Sequence, residues 1–297
     1  DDAGLEVPSP TFTLVQAYPG RVAVAHSDLY RLSDPGELDE IGLDDAIAEG
    51  AALVEWPERA GARLPADRLD VTLEIAGRGR RAVLAAGAAW APRLARSRAA
   101  RAFLAASGWP GASRRHLQGD AWTRVYERIA AGARRAVLMD WAPPPIDRAR
   151  DVRAFVAVDA ALRDLGLSAP EVFAADLAAG FLLLEEFPRD WIFDVDEVPV
   201  RERYLEAAAV LARIHAEPRP SVLPLPGGGS HVLPSYGDAA FAVEAEFLPD
   251  WYVPHVTGEP LPAEGRAEFV AVWAGLIARL RDFEQNWVLL DYHSPNI

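Results

Sequence analysis

No cysteine occurs in the 297 residues, which excludes disulfides, zinc–thiolate centres and thiol nucleophiles. Lysine is absent as well, so all 30 basic residues are arginine. A nucleotide site that needs an ammonium to position phosphates must then manage with arginine or draw on residues beyond those given. No apolar run approaches the roughly 18–20 residues that cross a bilayer. The longest, "AAGFLLLEEF", breaks on Glu185 and Glu186 and reads as a buried strand. No basic stretch followed by an apolar one opens the chain, so the cytoplasm is the expected compartment and no membrane contact is expected. Basic charge is scarce: the formal net charge is −14 and the pI is near 4.9. That balance argues against a broad surface for polyanions, and no direct nucleic-acid partner is expected. The local run "RLARSRAAR" reads as a solvated helix face or a linker. Methionine occurs once, at Met139, and residue 1 is aspartate, so a segment of a longer protein is expected.

What is present is ordinary for a globular chain, with 51% hydrophobic and 25% charged residues. Its length leaves room for two domains. Up to about residue 88, β-like runs alternate with turns. "TFTLVQAY" and "RVAVAHSDLY" flank the turn signal Pro19-Gly20, "ALVEW" reads as a short buried strand, and "LDVTLEIAGRGRRAVLAA" reads as a hairpin turning at Gly77–Gly79. "DPGELDEIGLDDAIAEG" reads as an acidic pair of short helices. Residues 89–100 are rich in Ala and Arg and are assigned as a linker, and a second domain covers 101–297. Its first part reads as an opening helix with Phe103, Leu104 and Trp109 on its apolar face. An antiparallel pair ("WTRVYERI", "RAVLMDW"), a helix with Val152, Phe155, Val156 and Leu162 on one stripe, and two further strands follow. The last zone is helical, with stripes of Tyr204, Leu205, Ala208, Leu211 and Ile214, and of Phe269, Val272, Trp273, Leu276 and Leu280.

The C-terminal "VLLDYHSPNI" carries chemistry. Phosphoryl transfer needs a carboxylate to orient or deprotonate the attacking hydroxyl, and metal ions to neutralise phosphate charge. Kinase loops supply an Asp and, five residues on, an Asn ligand to the metal. Asp291 and Asn296 have that spacing and follow an apolar, strand-like run. Together with "QGDAWTRVYER", "AVLMDWAPPP", "LLLEEF", "LARIHAEP" and "EAEFLPDWYVP", they resemble the aminoglycoside phosphotransferase-like kinases, and within them the kinases of N-acetylmuramate and N-acetylglucosamine (AmgK type). The resemblance implies Asp291 as catalytic base, Asn296 as magnesium ligand, "QGDAWTRVYER" as the hairpin over the nucleotide, and Glu185 beside the adenine hinge. Met139 and Asp140 stand where a kinase strand lysine is sought, and Arg124 is the candidate for the missing positive charge. The family's second metal-binding Asp lies beyond Ile297. His215 is expected to be satisfied by carbonyls or packing at a helix end, and His293 is the better candidate for orienting Asp291. Trp251 and Tyr252 are expected in the core, with a sugar-stacking wall as the competing reading.

A second constellation lies near the N-terminus. Ser9-Pro10-Thr11 leads into a strand, Asp28 ends "VAVAHSD", and Glu55 ends "ALVEW". Carboxylates at the ends of two buried strands are expected to share one sheet edge, of the kind where α/β proteins bind ligands. With "SPTFTL", "HSDLYRL", "GLDDAIAEG" and "EWPERA", the segment resembles TsaE, the P-loop ATPase of bacterial tRNA threonylcarbamoyladenosine synthesis. The resemblance implies Thr11 as a switch-like hydroxyl, Asp28 as the magnesium-associated acid and Glu55 as the acid near the attacking water. It also implies partners of the TsaB/TsaD type. A glycine-rich G-x-x-x-x-G-K-[ST] loop, the cradle for phosphates, is not in the sequence.

The combined expectation is α/β plus α+β: an incomplete P-loop-type sheet domain, then a two-lobed, protein-kinase-like domain. Both halves would use ATP and Mg2+, one on water and one on a sugar hydroxyl. The segment itself is expected to be inactive. Two alternatives remain open at this point, another small-molecule kinase of aminoglycoside or choline type, and an inert partner-binding module.

Overall fold

A computed structural model describes residues 7–10, 14–20, 22–117, 124–141, 152–187, 198–281, 283–293 and 296. The chain divides into two compact units, Asp1–Arg98 and Ala99–Ile297.

The first unit is built on strands β1 (Val15–Tyr18), β2 (Val24–Asp28) and β3 (Ala51–Glu55), hydrogen-bonded in that order. β1 and β2 are antiparallel across the Pro19-Gly20 turn, whereas β2 and β3 run parallel with Asp28 opposite Glu55. Parallel neighbours need a crossover, and the two acidic helical pieces supply it. A 3-10 turn at Pro35–Asp39 is opened by a capping box between Asp34 and Glu37, and α1 (Leu43–Glu49) follows. Leu29, Leu32, Leu38, Leu43, Ala60 and Leu64 form the core here, with Ala52 and Val54 against it. β3 is not the buried strand its apolar sequence suggested. Its residues alternate, and Leu53 is 57% exposed, because the crossover covers one face and the other stays open among the described residues.

Gly50, between α1 and β3, is required by a close approach. A Cβ there would lie 2.1 Å from the Ala23 carbonyl oxygen, the same atom that accepts the Ala51 N–H at 2.9 Å. β4 (Leu69–Ala76) and β5 (Gly79–Ala86) form a separate hairpin turning through Gly77 at φ 58°. All of β5 is exposed, as are Leu73 and Ile75 of β4. The expected linker is helical from Trp90: α2 runs without a break over Trp90–Ala106, and the division into units falls inside it.

The second unit opens with an antiparallel sheet of β6 (Ser113–Leu117), β7 (Val125–Ala131), β8 (Arg134–Asp140), β9 (Val172–Asp176) and β10 (Phe181–Leu184), in the order β6-β7-β8-β10-β9. Helix α3 (Val152–Asp164) joins β8 to β9. Period-two alternation sorts the central strands between two cores. Leu138, Phe181 and Leu183 meet Ala100, Leu104 and Trp109 on one face. Met139, Leu182 and Leu184 meet Val152 and Val156 of α3 on the other. Covered on both faces, β10 is apolar throughout.

Helix α4 (Arg201–His215), the hairpin β11 (Val222–Pro224)–β12 (Ser230–Val232), α5 (Asp238–Phe247), a π-helical turn at Leu248–Tyr252, α6 (Val253–Thr257) and α7 (Ala263–Leu280) complete it. Periodicity located α4 and α7 but not their packed faces. Ala207 and Ile214 are buried in α4 while Tyr204 and Leu205 are exposed, and in α7 only Ile277 is buried. Among the described residues no helix is long and apolar enough to cross a membrane.

Candidate active sites

Asp28 and Glu55 stand side by side at the carboxyl ends of parallel strands, the edge where open α/β sheets take ligands. Asp28 is buried, and its carboxylate accepts the Tyr30 N–H at 3.0 Å and the Ser9 hydroxyl at 3.2 Å. Glu55 is half-exposed, and its Oε1 lies 2.8 Å from His26 Nε2. His26 precedes Asp28 by two, so the strand period puts both on one face. The i, i+2 spacing is the sequence signal for His26. Trp56 follows Glu55 in the left-handed region at φ 56° and packs on Tyr30 with ring centroids 5.0 Å apart. A left-handed tryptophan is uncommon, and here the ring contact holds it. Thr11 lies outside the described residues.

In the second unit, Asp291 and Asn296 are brought together by the backbone. Asn296 Nδ2 donates to the Asp291 carbonyl at 3.1 Å, and the His293 N–H donates to the same oxygen at 3.0 Å. The run before Asp291 is not a strand: residues 284–290 carry no strand assignment, and Val288 and Leu290 are more than half exposed. Side-chain anchors fix the loop instead. Tyr292 OH donates to Ala207 O on α4 at 2.8 Å, Trp287 Nε1 donates to Pro220 O at 2.8 Å, and Asn286 Nδ2 donates to Glu217 O at 2.9 Å. His215 pairs with Trp287 O at 2.9 Å, the carbonyl partner expected of a helix-terminal histidine. Tyr292 and Trp287 are the residues that sequence reading missed here.

Three other candidates are engaged locally. The Arg124 guanidinium lies 4.7 Å from the Trp141 ring centroid and donates to Tyr126 OH at 3.4 Å. Glu185 accepts the Glu171 N–H on its own carboxylate at 3.0 Å, closing the β9–β10 pair. Met139 is wholly buried. Trp251 and Tyr252 overturn the core expectation, being 72% and 60% exposed. The π-helical turn buries Pro249 in their place, and Arg266 pins that turn through Asp250 and Glu246.

Among the described residues no three His, Cys, Asp or Glu side chains cluster tightly enough to hold a metal alone. Magnesium does not demand such a cage. It keeps several waters and binds through one or two carboxylates together with phosphate oxygens. A buried, strand-fixed Asp28 with two donors on it retains acceptor capacity for that, and so does the Asn296 Oδ1 once Nδ2 is on the Asp291 carbonyl.

Comparison with known proteins resolves the chain into the same two parts. The family model of the threonylcarbamoyl adenosine biosynthesis protein TsaE matches residues 2–83, and that of the phosphotransferase enzyme family matches residues 113–297. An N-acetylmuramate/N-acetylglucosamine kinase from Caulobacter vibrioides is 34% identical over 227 residues, covering 68% of this chain and 62% of that protein. One from Pseudomonas aeruginosa is 32% identical, covering 66% of this chain and 55% of its own. A tRNA threonylcarbamoyladenosine biosynthesis protein TsaE from Treponema pallidum is 34% identical over 82 residues, covering 27% of this chain and 61% of that protein. The chain thus spans less than two thirds of each of these relatives. Kinases and ATPases of such families generally work on ATP with magnesium.

Proposed function

We propose, for a chain that belongs to the phosphotransferase enzyme family over residues 113–297 and carries a TsaE domain over residues 2–83, two separate ATP–magnesium chemistries. The second unit phosphorylates the anomeric hydroxyl of N-acetylmuramate or N-acetylglucosamine. The first hydrolyses ATP in the service of tRNA threonylcarbamoyladenosine synthesis, docked to proteins of the TsaB/TsaD type.

In the kinase reading, Asp291 accepts the proton of the sugar hydroxyl as its oxygen attacks the γ-phosphorus, and ADP leaves. Asn296 Oδ1 would hold magnesium, whose charge would offset that of the phosphates. Arg124 supplies positive charge in place of the absent lysine. Glu185 contributes its place at the end of β10, since its carboxylate already serves Glu171. The observation that carries this reading is the closed Asp291–Asn296 loop, with Asn296 Nδ2 on the Asp291 carbonyl at 3.1 Å. In the ATPase reading, Asp28 would be the magnesium-associated acid, Glu55 would orient the attacking water, and Thr11 would add a hydroxyl.

The test is ATP-dependent phosphorylation of N-acetylmuramate and N-acetylglucosamine by the natural protein. Asp291→Asn is expected to lower kcat by about 10²–10⁴-fold, the usual worth of a general base, with the circular dichroism spectrum unchanged. Turnover within a few-fold of the parent would remove Asp291 as base.

A further inference from the structure

We infer that His26, donating from Nε2, is the positioning residue that holds Glu55 in its working orientation. The inference rests on the ATPase reading of the first unit and deepens it. Glu55 is the last residue of β3, with its side chain 44% exposed. A carboxylate that open to water would ordinarily sample several rotamers. His26 is the opposite: its side chain is 12% exposed and fixed in β2. Their atoms meet at 2.8 Å, Nε2 to Oε1.

The protonation pattern follows from the other ring nitrogen. His26 Nδ1 is buried with no hydrogen-bond partner among the described residues. A proton on Nδ1 would bury an unpaired N–H and, in the neutral ring, turn the Nε2 lone pair toward a carboxylate oxygen, an acceptor facing an acceptor. A proton on Nε2 alone leaves only a bare lone pair unpaired, which folded proteins tolerate better than an orphaned N–H. The ring therefore donates from Nε2 to Oε1. One carboxylate oxygen is spent on that bond, and Oε2 is left to take a hydrogen from the attacking water. Asp28 on the same strand face keeps its own donors, Tyr30 N–H and Ser9 Oγ–H, so the two carboxylates do not compete for His26. Pre-set geometry of this kind acts on the chemical step rather than on ATP binding.

Two measurements decide it. Long-range 1H–15N correlation of His26 in this chain should show Nε2 protonated and Nδ1 bare, with the Nε2 resonance moving in Glu55→Gln. An Nδ1-protonated ring, or two tautomers in exchange, overturns the inference. In the natural protein, His26→Leu should lower kcat for ATP hydrolysis by about 10–100-fold, the worth of a hydrogen bond to a charged group, with KM for ATP unchanged. His26→Gln, which keeps an N–H of similar reach, should recover most of that loss. Unaltered kcat in His26→Leu, or a change confined to KM, overturns the positioning role. If His26→Leu does not fold, the spectrum of Glu55→Gln and the turnover of His26→Gln carry the decision. A natural protein that hydrolyses no ATP while the tautomer is as expected sinks the ATPase reading and the positioning role of His26 in turnover with it, and leaves the His26–Glu55 bond in place.

Discussion

Asp159 shows how far one side chain can depart from the pattern around it. It sits on α3 at 6% exposure, and its Oδ1 has no hydrogen-bond partner among the described residues. Burial pushes its carboxyl up to about 6, against the opposing pull of Arg163 one helical turn away. A carboxyl whose folded pKa is raised contributes stability below its unfolded value of 3.8 and loses it as the pH rises through about 6. Asp159→Asn, which removes the charge and keeps the shape, should therefore raise stability at pH 7.5 by about 1–3 kcal/mol. It should also flatten the melting temperature between pH 4 and 6.5, on the order of the window those values set. Unchanged melting at pH 7.5 would contradict this. Tyr292 makes the complementary case. Its hydroxyl is shifted up by burial and donates to Ala207 O, so Tyr292→Phe should cost about 1 kcal/mol in urea unfolding and lower kcat for the sugar by loosening the Asp291 loop.

Elements were legible wherever local chemistry decides them, and packed faces were not. The β1–β2 turn, the acidic crossover, the Gly77 hairpin and the α3 stop at Gly166 all follow from turn residues and period. The covered face depends on neighbours distant in sequence. β3 reads as apolar, yet one face is open; α4 and α7 show clear stripes, yet most of each stripe is exposed. The Asp291–Asn296 loop illustrates the same split. The spacing of Asp291 and Asn296 could be read, and so could a carbonyl partner for His215, but the anchoring by Tyr292 and Trp287 could not, because its acceptors, Ala207 O and Pro220 O, lie on α4 and in the residues just after it. Asp28 and Glu55 were legible as strand ends, and their exact register was not.

Two element-scale outcomes follow. Gly50→Ala would press a methyl into the Ala23 carbonyl and should destabilise the first unit by about 1–3 kcal/mol, since overpacking in a fixed register has nowhere to relax. Ile75→Thr on the exposed hairpin, at 79% exposure, should change stability by no more than about 0.5 kcal/mol. Denaturant midpoints of the two variants check both.

At the scale of the whole molecule, each unit has its own core and its own pair of candidate site residues. Leu29, Leu38 and Leu43 belong to the core of one unit, while two apolar layers sandwich the sheet in the other. The magnesium–ATP centre proposed for each unit should therefore be open to separate removal. Glu55→Gln should abolish ATP hydrolysis while sugar phosphorylation continues, and Asp291→Asn should do the reverse. The most direct measurement is transfer of labelled γ-phosphate from ATP to N-acetylmuramate by the natural protein and these two variants. The expected result is transfer reduced at least about a hundredfold by Asp291→Asn and retained by Glu55→Gln. Transfer that survives Asp291→Asn, or a parent protein that phosphorylates neither amino sugar, would contradict the account.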